Sequence, residues 1–251
     1  MILDEIVQRT KKRVAQLPTS FSEPVPRKPV SLSAAIREKN GKNAVIAEIK
    51  CASPSRGVIR RNVDMARMAG VLAGAGCVAF SVLTEPYFFG GTGQDIARVK
   101  SAVDIPVLRK DFIIDERQIA ESRALGADAV LLIAAVLKER LPDFVDLALD
   151  YRLEPLVEVH TAAEADAALG TQAALIGINN RDLSTMTIDR SNTRLLSEQI
   201  RPKGRLIVSE SGMRSADDVR EMRNYCDAFL IGSSIMAHEQ PQKKLEEFVC
   251  A

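Results

Sequence analysis

Charged residues interrupt the apolar runs of this chain at positions where they can do chemistry. In Val45-Ile46-Ala47-Glu48-Ile49-Lys50, Glu48 and Lys50 are two residues apart and share one face of an extended segment. Lys110 follows Leu108 in Leu108-Arg109-Lys110-Asp111-Phe112, and Glu158 interrupts Leu156-Val157-Glu158-Val159. Alternation sends Lys110 to the same side as Leu108 and Arg109 to the other. A lysine partly removed from water beside a second cation, here Lys50, is expected to have a lowered pKa and to donate a proton near neutrality. Glu48 and Glu158 then balance the charge and can accept a proton. Two further stretches, Ser211-Gly212 and Gly232-Ser233, are small enough for backbone N–H groups to approach an anion, and their hydroxyls add donors. Phe88, Phe89 and Phe112 are available to surround an apolar part. Together these residues suit a sugar phosphate attached to an aromatic group.

The elements that must position them alternate regularly. Short strand-like runs occur at Val45–Ile49, Cys77–Leu83, Pro106–Leu108, Ala129–Ile133, Pro155–Val159, Ala174–Ile178, Leu206–Val208 and Ala228–Ile231. Between them lie helix-like segments, among them Met65–Gly74, Glu116–Leu125, Leu141–Tyr151, Ala162–Leu169, Asn192–Glu198 and Ala216–Met222. Asp115 and Thr161 stand where a helix needs an N-cap, and Gly126 and Gly170 where it needs a stop. Alternating strands and helices imply parallel strands with right-handed crossovers. Eight such units predict an α/β fold of the (β/α)8 TIM-barrel class, with an open α/β sheet as the competing arrangement.

In such a barrel, chemistry sits at the C-terminal ends of the strands. Those ends carry Glu48, Lys50 and Ser53; the aromatic loop Thr84 to Thr92; Lys110; Glu158; Asn179 with Arg181; Ser209-Glu210-Ser211-Gly212; and Gly232-Ser233-Ser234. The loops after the seventh and eighth strands are the usual phosphate position. The fourth strand offers only apolar bulk. Residues 1–44 lie outside the alternation and are expected to form an N-terminal extension of the single 1–251 barrel domain. Ile2, Leu3, Ile6, Val7, Val14 and Leu17 line one side of a helix, and a second short helix covers Ser31 to Lys39 with Ser31 or Ser33 as its cap. Pro18, Pro24, Pro26 and Pro29 mark the connector. The apolar stripe predicts docking against one end of the barrel.

Composition removes other classes. Net charge is +1 over 251 residues, aromatics are 4% and Trp is absent, which gives neither field nor stacking platform for nucleic acid. No apolar run approaches a membrane span, and Met1-Ile2-Leu3-Asp4-Glu5 lacks the basic start of a secretory leader. Cys51, Cys77, Cys226 and Cys250 form no C-x-x-C pair, so four reduced thiols in a cytoplasmic protein are expected. With two histidines, His160 and His238, a His-rich metal site is not expected, and no cofactor signature is present. The helix faces favour a monomer.

The motifs Val45 to Lys50, Ser53-Pro54-Ser55, Ser81-Val82-Leu83-Thr84, Leu108 to Asp115, Leu156 to Thr161, Ile178 to Leu183 and Ser209 to Gly212 resemble those of the indole-3-glycerol-phosphate synthase family of tryptophan biosynthesis. The resemblance extends over essentially the whole chain, with the motifs in order. It implies a carboxy-lyase that closes the indole ring of 1-(2-carboxyphenylamino)-1-deoxyribulose 5-phosphate, releasing carbon dioxide and water without a cofactor. It also implies roles: Lys110 as general acid on the ribulose carbonyl, and Lys50 at the substrate carboxylate or phosphate. Glu158 would stabilise the cationic intermediate or remove a proton. Asn179 and Glu48 would hold hydroxyls and the lysines. Ser53, Ser211, Gly212, Gly232 and Ser233 would bind phosphate, with Arg181 and Glu210 in support. Cys51, Arg56, Glu85 and Thr92 depart from common family choices without removing a residue that has a role. Another phosphate-binding barrel, such as phosphoribosylanthranilate isomerase, and a non-catalytic barrel are the competing readings.

Overall fold

A computed structural model describes residues 2–21, 28–39, 41–183 and 185–251. Eight strands close into a parallel barrel: β1 (Ala44–Ile49), β2 (Ala79–Leu83), β3 (Val107–Lys110), β4 (Ala129–Ile133), β5 (Glu154–Val159), β6 (Leu175–Asn179), β7 (Leu206–Glu210) and β8 (Ala228–Ile231). Each strand pairs with its neighbours in sequence, and β1 closes the ring on β8 through Ala44↔Ala228 to Ala47↔Ile231. The open sheet is therefore excluded.

Alternation divides the apolar residues into two clusters. One face of each strand, with Ile46, Leu108, Leu131, Leu156, Leu175, Val208 and Leu230, fills the barrel interior. The other, with Val45, Phe80, Val130, Val157, Ile176 and Phe229, packs under the surrounding helices. Both faces are buried, so the strands read as apolar runs broken only where a polar group is needed.

The main helices are α1 (Ile2–Val14), α2 (Leu32–Arg37), α3 (Met65–Gly74), α4 (Gln94–Lys100), α5 (Glu116–Ala124), α6 (Leu141–Asp150), α7 (Ala162–Leu169), α8 (Ser191–Ile200), α9 (Ala216–Met222) and α10 (Pro241–Val249). The expected caps are in place: Asp115 accepts from the backbone N–H of Arg117, and Thr161 from that of Glu164. Helix α4 is not legible as a helix in the sequence, since it lies between the Gly-rich loop and a short strand. The longest helix has 13 residues, and none is long and apolar enough to cross a membrane among the described residues.

The N-terminal extension occupies both ends of the barrel rather than one. Leu32 and Ile36 of α2 join the interior cluster beside Ala44, Ala79, Ala129 and Ala228, whose small side chains at the strand starts leave room for them. This end is fastened by Glu154, which accepts from Ser31 Oγ at 2.5 Å and from the Ser33 backbone N–H at 2.7 Å. Ser31, not Ser33, caps α2 by accepting from the Ala34 N–H. Helix α1 lies at the opposite end, where Ile2, Leu3 and Ile6 help to wall a cavity. In the connector, Pro24 and Pro26 lie outside the described residues.

Candidate active site

At the C-terminal rim a cavity of about 1250 Å³, measured to its open mouth, descends into the barrel. It gathers Glu48, Lys50, Ser53, Phe89, Lys110, Phe112, Glu158, Asn179, Arg181, Glu210, Ser211, Gly212, Gly232 and Ser233. Of the residues given a catalytic or substrate-binding role from the sequence, Phe88 alone is absent from that lining. Its ring packs beneath the Arg9 guanidinium of α1, 5.4 Å from the ring centroid, so it serves the wall from behind.

The first ion pair comes from β1. Lys50 Nζ lies 2.5 Å from Glu48 Oε1, and Glu48 is 3% exposed. Burial alone would raise the Glu48 pKa, but Lys50 and Lys110 outweigh it and hold the carboxyl below its usual value. Gly232 makes the arrangement possible: a Cβ there would stand 2.3 Å from Glu48 Oε1.

Lys110 ends β3 and points into the cavity, as alternation requires. Its Nζ donates to Glu210 Oε2 at 2.5 Å and to Glu158 Oε2 at 3.4 Å. Asn179 Nδ2 in turn donates to Glu158 Oε1 at 3.2 Å. The expected lowering of the Lys110 pKa by Lys50 is not what the geometry gives. Burial does favour the neutral amine, but Glu210, Glu158 and Glu48 outweigh it and raise the pKa, while Lys50 is occupied by Glu48. The group whose charge is in question is instead Glu210, 1% exposed. Burial pushes its pKa up to about 7 despite the pull of Lys110, and Glu158 and Glu48 add to the rise. Glu210 Oε1 has no hydrogen-bond partner among the described residues and faces Gly177, where a Cβ would come within 2.2 Å.

On one side of these charges the cavity is cationic. Arg181, Arg56 and Arg214 face it. Burial first, then Arg56 and Arg214, lower the Arg181 pKa, a sign that the three positive charges crowd one another. Nearby, Ser211 and Gly212 take φ of 68° and 95°, turning the backbone after β7 sharply. The helical turn Ser233–Met236 begins just after Gly232. Ser53 Oγ is buried and without a partner among the described residues. The opposite wall is aromatic and aliphatic: Phe89 and Phe112 meet at 6.3 Å between centroids, tilted by 36°, with Ile2, Leu3, Ile6, Leu131 and Ile133 around them.

Several contributors are not visible in the sequence. Asp111, 1% exposed, accepts from four donors: Arg13 Nη2 at 2.7 Å, Thr84 Oγ1 at 2.6 Å, Arg109 Nη2 at 3.0 Å and the Phe112 N–H at 2.8 Å. It thereby fixes the backbone between Lys110 and Phe112. Arg109 points outward as expected and reaches α5 through Glu121 at 2.7 Å and the Gln118 carbonyl. Arg13 comes from a helix 98 residues away, a link that no local pattern announces. Arg214 gives no signal because it follows its strand in an ordinary turn. Among the described residues no three His, Cys, Asp or Glu side chains group as a metal site.

A sequence model of the family described as "Indole-3-glycerol phosphate synthase" matches residues 3–248. Proteins of that name from Caldanaerobacter subterraneus subsp. tengcongensis and Methanocaldococcus jannaschii are 47% and 42% identical to this chain. The matches cover 83% and 99% of this chain and 81% and 98% of those proteins. Among solved structures, an aminoacrylate-bound tryptophan synthase from M. tuberculosis aligns with a TM-score of 0.63 at 13% identity, over 87% of this chain and 97% of that one. KGPDC from Streptococcus mutans aligns with a TM-score of 0.63 at 14% identity, over 82% and 95%. At these identities the structural likeness is one of fold.

Proposed function

The chain belongs to the indole-3-glycerol phosphate synthase family, and from that premise we propose how its cavity carries out the ring closure. The enzyme is a carboxy-lyase that converts 1-(2-carboxyphenylamino)-1-deoxyribulose 5-phosphate to indole-3-glycerol phosphate, carbon dioxide and water. The substrate carries a phosphate, a carboxylate and an aromatic ring. A cationic wall of Arg56, Arg181 and Arg214 opposite the Phe89 and Phe112 wall provides for all three. The phosphate sits on the Ser211-Gly212 and Gly232-Ser233 turns with Ser53 and the arginines. The aromatic ring lies against Phe89 and Phe112.

Lys110 faces the ribulose carbonyl between them. In the condensation, the aromatic carbon bearing the carboxylate attacks that carbonyl carbon while the carbonyl oxygen takes a proton from Lys110. The new carbon–carbon bond leaves the ring cationic and iminium-like. Loss of carbon dioxide returns the bonding pair to the ring, so the substrate is its own electron sink. In the final step the hydroxyl leaves as water, protonated by Lys50 or by re-protonated Lys110. The neighbouring methylene loses a proton to a carboxylate, a role that this reading gives to Glu158, which lines the cavity. Glu48 orients Lys50, and Asn179 orients Glu158.

The observation that carries this reading is Lys110 itself, an ammonium at the floor of the cavity held by Glu210 at 2.5 Å and Glu158 at 3.4 Å. A lysine so held keeps its proton until a substrate oxygen competes for it. Glu210, poised near neutrality, sets how firmly it is held. The same reading takes the chain as one domain, monomeric and cytoplasmic; the free thiols of Cys51, Cys77, Cys226 and Cys250 suit a reducing compartment. The test is direct: purified protein is mixed with the carboxyphenylamino substrate in metal-chelating, cofactor-free buffer and indole fluorescence is followed. Growth of the signal is expected, and its absence overturns the reading.

A further inference from the structure

We propose that Glu85 is a positioning residue that holds the aromatic wall of the cavity in its working shape. The proposal rests on the ring-closure reading above, in which Phe89 faces the substrate's ring.

Glu85 is 1% exposed, and its carboxylate is spent on its own loop. Oε1 accepts from the Tyr87 N–H at 3.1 Å, and Oε2 accepts from the N–H groups of Phe88 at 2.7 Å and Phe89 at 3.2 Å. Its backbone carbonyl accepts from the Gly91 N–H at 3.0 Å, closing the loop at its far end. Three consecutive N–H groups converging on one buried carboxylate fix the direction in which each of the three aromatic side chains leaves the backbone. Charged acceptors make the stronger hydrogen bonds, and in a buried site an unfilled N–H is costly.

The result divides the three rings between two tasks. Tyr87 and Phe88 turn toward α1, where the Arg9 guanidinium lies 5.6 Å and 5.4 Å from their centroids. Phe89 turns the other way, lines the cavity and meets Phe112. Glu85 thus pulls the loop from its root while Arg9 presses two of its rings from outside. Phe89 is left with one place to go. Because the Glu85 carboxylate binds backbone of its own loop, its effect on the reaction passes through Phe89 rather than through the reacting atoms.

The distinguishing experiment is a cycle of variants measured by indole fluorescence. Glu85→Gln offers one acceptor oxygen where three N–H groups need two, so KM for the carboxyphenylamino substrate is expected to rise by about 10-fold or more with kcat changed by less than about 3-fold. Glu85→Asp keeps both acceptor oxygens and is expected to recover part of the loss. Phe89→Ala alone raises KM similarly, and the double variant Glu85→Gln, Phe89→Ala is expected to be no worse than Phe89→Ala. Inhibition by glycerol 3-phosphate, which has the phosphate but no ring, should stay unchanged in Glu85→Gln. Multiplying effects in the double variant, an unchanged KM in Glu85→Gln, or a parallel loss of glycerol 3-phosphate inhibition would each overturn the proposal. An unchanged KM in Phe89→Ala would instead remove the aromatic wall from the ring-closure reading, and this proposal with it.

Discussion

Arg13→Ala tests whether the N-terminal helix braces the strand end that carries Lys110. Arg13 Nη2 donates to Asp111 Oδ1 at 2.7 Å and Nη1 to the Thr84 carbonyl at 3.2 Å, bridging α1 to the ends of β2 and β3. Stripping a buried charge of its whole partner set costs about 3–5 kcal/mol. Asp111 keeps Arg109, Thr84 and the Phe112 N–H, and the Arg13 side chain is itself 21% exposed. The loss is therefore set by one charged hydrogen bond and one weaker one, about 2 kcal/mol. With an m-value of about 3 kcal/mol/M, the urea midpoint falls by roughly 0.7 M. Circular dichroism is the readout, since the chain has no Trp. The pH dependence gives a second check. Burial would raise the Asp111 pKa, but Arg109 and Arg13 outweigh it and hold it below its usual value. A depressed carboxylate adds stability that is present above its unfolded pKa, about 3.9, and lost as pH falls through the folded one. The gap between wild type and Arg13→Ala should be constant from neutral pH down to about 5 and narrow below about 4. A loss under about 0.5 kcal/mol, or a gap that does not narrow in acid, would refute the brace.

Three further outcomes are expected. Lys110→Ala lowers kcat by about 10²-fold or more in the fluorescence assay, the usual scale for a general acid; near-normal turnover would remove Lys110 from that role. In wild type, kcat/KM falls as pH rises through about 7, because Glu210 with its pKa pushed up to about 7 ionises there and tightens its hold on the Lys110 proton. Glu210→Gln has no ionisable group at that position and loses this limb; its persistence would assign the limb elsewhere. Gly232→Ala places a methyl 2.3 Å from Glu48 Oε1 and beside the proposed phosphate turn. Both KM and kcat suffer, and a change in KM alone would mean that Glu48 yields without disturbing Lys50.

How far the sequence carried depended on whether the governing contact was local. Strand and helix periods are local, and the helices at Met65–Gly74, Ala162–Leu169 and Ala216–Met222 have the limits expected for them. Those beginning at Glu116 and Leu141 stop one residue short of expectation, at Ala124 and Asp150. Strands β3 and β7 run two residues beyond their apolar stretches, through Lys110 and Glu210. An apolar-run criterion stops at the first charge, whereas a strand at a polar rim continues until its backbone loses its partners. Inward and outward faces followed from alternation alone, so Lys110 and Arg109 fell on the correct sides.

The electrostatics did not follow in the same way, because they depend on which strand ends face one another across the barrel. Lys50 is 60 positions from Lys110 in sequence and was the natural cation to place beside it, but Glu48 engages Lys50 at 2.5 Å on its own strand. Glu210, 100 positions from Lys110, takes the near place instead. That exchange reverses the sign of the lysine's shift and transfers the near-neutral titration to a carboxyl. The acid proposed for the reaction is therefore a firmly protonated lysine, held by Glu210. A weakened lysine acting alone would show its own pKa in the rate profile; this one should show that of Glu210. The charge pattern at the rim is read correctly only when closure of the barrel is known, since closure turns the inward side chains of the alternate strands β3, β5 and β7 onto one another.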